Sequence, residues 1–174
     1  MSRRLIATLT LAGLTIVAGA CSKSSTAPSA VAPKFTATLS PANEVPAITN
    51  ADQTGSGSVT ITLNLTKDSA GNITAATGDF TVTLSGFPAG TTLTGAHIHN
   101  AAAGTNGGIV VPLPLASGEV SLANGSGTFT KLGVSFPEPA VAQGMLNTPA
   151  NYYFNVHTAI NVGGAARGQL VRAN

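Results

Sequence analysis

Three stretches of this chain alternate apolar and polar residues with a period of two, and no other feature restricts its fold so strongly. "FTATL" puts Phe35, Ala37 and Leu39 on one face. "VTITLNL" does the same with Val59, Ile61, Leu63 and Leu65, and "FTVTL" with Phe80, Val82 and Leu84. Threonine fills much of the opposite face. Successive strand side chains point to opposite sides of a sheet, so the pattern predicts strands with one face in a core and one toward water. Further candidate strands cover residues 93–99, 108–113, 118–122, 126–132, 151–158 and 166–172. Between the strands lie "DSAGN", "GFPAG", "AAAGTNGG", "ANGSG" and "NVGG", whose Gly and Asn residues suit chain reversals. Only "EPAVAQGMLNTP" suits a helix, and a short one. Eight or nine short strands with regular turns predict an all-β domain. It would be an antiparallel sandwich or Greek-key barrel with at most one short helix.

Charged residues make up 8% of the 174 residues, against about 25% in ordinary soluble domains. The formal charge of +2 includes Arg3 and Arg4; without them six Lys and Arg face six Asp and Glu. A neutral domain offers nucleic acid no basic footprint, so nucleic acid is not an expected partner. Arg3 and Arg4 open "MSRRLIATLTLAGLTIVAGAC", in which an apolar run from Leu5 to Ala20 ends in small residues at Cys21. That is the form of a secretory signal. It resembles the bacterial lipoprotein signal, in which the cysteine is lipidated and becomes the new N-terminus. Plain signal-peptidase cleavage, leaving Cys21 a free thiol, is the alternative. Residues 1–21 are thus expected to be a signal peptide ending at lipidated Cys21, and 22–34, "SKSSTAPSAVAPK", a flexible linker. The globular domain is expected over 35–172. The chain would then be extracytoplasmic and held to the cell envelope by its lipid, with the membrane as one partner and an unknown protein as another.

The three histidines carry the strongest chemical signal. In "TGAHIHN", His97 and His99 share a strand face opposite Ala96 and Ile98; in "YYFNVHT", His157 shares a face with Tyr153 and Asn155. With the apolar sides turned inward, all three imidazoles are expected to point away from the core. Residues i and i+2 of a strand lie about 6.5 to 7 Å apart. Two such imidazoles can converge on an ion with bonds of roughly 2.0 to 2.1 Å. His157 would complete three nitrogen ligands, a set suited to copper or zinc. A hydrogen-bonded pair of histidines anchoring a loop explains the same spacing, and both readings stand at this stage. The chain has no GxxxxGK[ST] phosphate loop, no HExxH, no CxxC, no GxSxG elbow and no evident carboxylate pair for work on sugars.

"FTATLSPANEVP" (35–46), "AHIHNAAAGTNGGIVVPL" (96–113) and "YYFNVHTAINVGGAARGQL" (152–170) together resemble the CHRD (chordin-type) domain, found in chordin and in many exported bacterial proteins. An early EVP, an AHIH followed by a glycine-rich loop, an NVHT and a closing RGQ occur in that order. The resemblance implies an immunoglobulin-like sandwich; it implies little about activity. The matching residues are Glu44, His97, His99, His157, Arg167 and Gln169. A looser likeness to copper–zinc superoxide dismutases rests on the His-x-His strand and a distant third histidine. The bridging histidine, zinc loop and disulfide cysteines of those enzymes are missing here. Dismutase-like chemistry is therefore not the expected function, and the chain is read as a binding module and not an enzyme.

Arg167 and Gln169 alternate onto one face of the last candidate strand. Arg167 is expected to fork onto Glu44 or loop carbonyls and close the end of the sandwich; orienting the histidine rings is the other role open to it and Gln169. Gly104, Gly107 and Gly108 are expected to supply positive φ after His99. Tyr153 would pack over the site or cover a sheet edge.

Overall fold

A computed structural model describes residues 31–173; the expected signal peptide, Cys21 and most of the linker lie outside the described residues. The alternating segments form the strands that their pattern predicts. They are β1 (Lys34–Leu39), β2 (Ser56–Lys67), β3 (Ile73–Ser85), β4 (Thr91–Asn100), β5 (Gly108–Pro112), β6 (Ser121–Leu122), β7 (Gly127–Ser135), β8 (Tyr152–Thr158), β9 (Ala166–Gln169) and β10 (Val171–Ala173). One helix, α1 (Pro139–Asn147), falls within the proline-flanked segment that suited it. Pro139 at its first turn has no N–H to lose there and its φ is already helical.

Two antiparallel sheets face each other. One runs β10-β1-β2-β3-β7; the other runs β5-β4-β8-β9, with β6 pairing to an end of β4. Neither closes on itself among the described residues, so the architecture is a sandwich and not a barrel. Register in the first sheet sets like against like: Ile61 opposite Phe35 and Phe80, Val59 opposite Ala37 and Val82. The second sheet contributes Leu93, Ala96, Ile98, Phe154 and Val156 to the same core. Phe80 and Phe154 meet across the two layers with ring centroids 6.1 Å apart. Each is fully buried, a change from water that stabilises by roughly 1.5–3 kcal/mol per side chain.

Two strand expectations are corrected. The segment 118–122 pairs only at Ser121–Leu122, because Glu119 N–H closes a turn onto Ala116 O and Gly118 takes φ 76°. The segment 166–172 is two strands, since the chain leaves the second sheet at Leu170 and joins the first. Buried Leu170 marks the crossing, and its N–H is satisfied by Tyr152 O at 2.9 Å.

Candidate metal centre

Pairing between β4 and β8 builds the site. His97 lies opposite Asn155, His99 opposite Tyr153, and His157 opposite Gly95. Ala96, Ile98, Phe154 and Val156 take the other face and enter the core, so alternation alone turns the three imidazoles outward. Gly95 contributes by having no side chain: a Cβ there would stand 3.1 Å from His97 Cε1 and 3.7 Å from His157 Cδ2. The vacant position lets the His97 ring lean toward His157.

Outward does not mean solvent-exposed. His99 and His157 are 7% and 8% exposed, and only His97 is half-buried. The expectation that the histidines stand clear of the core holds, but chain segments fold back over them. Gly107 O accepts a hydrogen bond from His99 Nδ1 at 2.9 Å, and Val162 O accepts one from His157 Nδ1 at 2.9 Å. These carbonyls fix both tautomers, leaving each Nε2 with a free lone pair. His97 then donates through Nδ1 to His157 Nε2, at 3.0 Å. One ligand nitrogen from each of the three histidines lies within 4.8 Å of the others, a spacing that an ion with bonds of roughly 2.0–2.1 Å spans after small ring movements.

Electrostatics favour the uncharged form of His97 and of His157. Burial, then the neighbouring His157 and His99, lower the His97 pKa from 6.5 to about 4. Burial also lowers that of His157, against the Val162 carbonyl, which favours the charged ring. Neutral imidazoles are the form that binds a metal ion.

The remaining candidates surround this face. Tyr153 stacks on His99, with centroids 4.7 Å apart and planes 2° from parallel, and the Arg167 guanidinium lies 4.6 Å from the Tyr153 centroid. Arg167, 2% exposed, donates through Nε to Asn43 O at 2.6 Å and through Nη1 to Thr105 O at 3.1 Å and Asn106 Oδ1 at 3.0 Å. Its Nε stands 3.7 Å from Glu44 Oε2. Gln169 Nε2 donates to Ala101 O at 2.8 Å and Ala150 O at 2.7 Å. Among the described residues neither Arg167 nor Gln169 hydrogen-bonds a histidine; both tie down the loops that cover them. Burial raises the Glu44 pKa from 4.5 to about 7, opposed by the Arg167 charge and by the Asn155 side chain.

The glycine expectation is corrected in part. Gly104 has φ 79°, but Gly107 and Gly108 do not take positive φ. Gly107 is needed for close approach, because a Cβ there would collide with the Asn100 carbonyl. Sequence reasoning assigned no role to Gly95 or Asn155. The signal for Asn155 was its place two residues before His157, on the same strand face.

The motifs that run through this geometry also define a family: a family model for the CHRD domain matches residues 35–170. The chain belongs to the CHRD family. That match spans the sandwich from β1 through β9 and contains Glu44, all three histidines, Arg167 and Gln169. No curated protein and no solved structure matches the chain. The CHRD assignment supports a binding module.

Proposed function

We propose that this CHRD domain is an exported, membrane-tethered binding module that holds a copper or zinc ion through His97, His99 and His157. The observation that carries the reading is the convergence of three imidazole nitrogens within 4.8 Å, two of them held ready by backbone carbonyls. Imidazole suits both metals, and the affinity order of divalent ions favours copper where both are available. Export and lipid anchoring at Cys21 rest on the N-terminal sequence and place the module in the cell envelope, outside the cytoplasm. The module stores, senses or delivers its ion; a copper redox enzyme ranks well behind, since the resemblance to dismutases lacks most of their machinery.

A second reading has the three histidines as a metal-free hydrogen-bonded cluster in an interaction domain. The 3.0 Å contact of His97 with His157 favours it. Titration of zinc and copper(II) into the Cys21→Ser chain, which has no competing thiol, separates the two. Binding at low micromolar concentration or tighter is expected, with a large loss in His97→Ala and in His157→Ala. Absence of binding at tens of micromolar would leave the metal-free cluster as the function of these residues.

A further inference from the structure

Asn155 faces the cluster in a way that hydrogen bonding alone does not explain. Its Oδ1 lies 3.1 Å from His99 Nε2 and 3.1 Å from His157 Nε2. Because both histidines give their Nδ1 protons to backbone carbonyls, both Nε2 atoms present lone pairs. A carbonyl oxygen therefore sits beside two unprotonated ring nitrogens, one of which already accepts from His97 Nδ1, and neither ring donates to it. Turning the amide over would bring Nδ2 to the histidines, but it would also turn the oxygen toward the Glu44 carboxylate, whose charged form the Asn155 side chain favours as it stands. Glu44 is itself buried, and its Oε1 has no hydrogen-bond partner. When ionised, the carboxylate repels an amide oxygen turned toward it, and so keeps that oxygen on the histidine side.

We infer that Asn155 Oδ1 is a fourth donor, closing the three-histidine centre into an N3O set with no open position for water or substrate. This inference rests on the metal reading above. The separations fit it: donors on a tetrahedral ion with bonds of roughly 2.0 Å lie about 3.3 Å apart. The two Nε2–Oδ1 distances of 3.1 Å and the His97–His157 distance of 3.0 Å are close to that. The ion replaces the proton shared by His97 and His157, and His97 carries its own on Nε2. Asn155 is 1% exposed and sits on β8 between the two neighbouring strands, so its oxygen is fixed by the sheet. Four protein donors are the mark of a centre that holds its metal, whereas catalytic zinc sites keep one position open. Glu44 acts as a positioning residue, through the amide.

The test uses the full chain with Cys21→Ser, loaded with zinc for affinity and with cobalt(II) as a spectroscopic probe of coordination. Asn155→Leu keeps the side-chain shape and removes the oxygen; it is expected to weaken zinc binding tenfold or more. The cobalt(II) form of the parent protein is expected to be tetrahedral and indifferent to millimolar azide, while that of Asn155→Leu takes up azide with a changed visible spectrum. Asn155→Asp combined with Glu44→Gln, which keeps an oxygen and the local charge, is expected to recover tight binding. Azide uptake by the parent cobalt(II) protein would overturn the inference even if Asn155→Leu failed to fold. Unchanged zinc affinity in a folded Asn155→Leu protein would overturn it too, with the three-histidine reading intact. Failure of the parent to bind either metal would remove both.

Discussion

His97 is the most exposed of the three histidines and is nonetheless hard to protonate. Its pKa is held at about 4, against 6.5 for an ordinary histidine. Between those values the unfolded chain binds a proton that the folded chain refuses, so stability rises with pH across that window. The contribution is complete above about 6.5 and is lost as pH falls toward 4; His157, shifted in the same direction, adds to it. Proton NMR of the metal-free protein should show a His97 ring titrating near pH 4, and a midpoint near 6.5 would mean that the covering segments do not exclude water from it. Glu44 carries the opposite sign. With its pKa raised from 4.5 to about 7, the folded state keeps a proton that the unfolded chain gives up. Its stabilisation is present below about 4.5 and is lost as pH rises through 7. Glu44→Gln removes that loss. Melting temperatures measured from pH 4.5 to 7.5 should therefore show the variant gaining on the parent as pH rises, and parallel curves would contradict the burial assigned to this carboxylate.

At the scale of strands and turns, glycine separates what the pattern revealed from what it hid. Gly168 on β9 passes so close to β1 that a Cβ would collide with the Thr38 carbonyl, whereas Gly104 has open space and only its φ of 79° against substitution. Gly168→Ala is expected to cost about 2 kcal/mol or more, by overpacking against backbone that cannot yield. Gly104→Ala should cost about 1–2 kcal/mol, the penalty for an L-residue in left-handed backbone. Denaturant midpoints of the two variants rank them. Alternation made β1, β2 and β3 legible, because each buries one face and wets the other. It also turned His97, His99 and His157 the right way. It could not reveal that residues 101–107 and 159–164 fold back over the histidines, since loop return follows no period. Nor could it reveal Asn155: an asparagine on a strand face has no chemical meaning until register sets it opposite His97 and Glu44 is brought over from the far end of the sequence. The break at Leu170 escaped for a related reason: alternation slips there, with apolar Leu170 and Val171 adjacent, but a slip of one position does not say that the chain changes sheets.

Across the whole domain, core and candidate centre occupy opposite faces of the second sheet, and this separates their energetics. Truncating Leu63, a fully buried residue of β2 in the other sheet, to alanine leaves a cavity and should cost about 2–5 kcal/mol. Nothing in that change reaches the histidines, so the stabilisation given by bound ion should survive it unchanged. Linkage sets its size: an ion at a hundred times its dissociation constant adds about 2.7 kcal/mol if it binds only the folded state. For a domain of this length that is a rise in melting temperature of roughly 8 °C. The expected pattern is two nearly parallel melting temperatures for Leu63→Ala, both lower than the parent's and separated by the same increment with and without zinc. His157→Ala should show the reverse: a modest drop without zinc and no increment with it. Were the zinc increment to shrink in Leu63→Ala, the ion would be stabilising the packing of one sheet on the other. The centre would then be a structural clamp on the sandwich, and not a module that can give up its ion while staying folded.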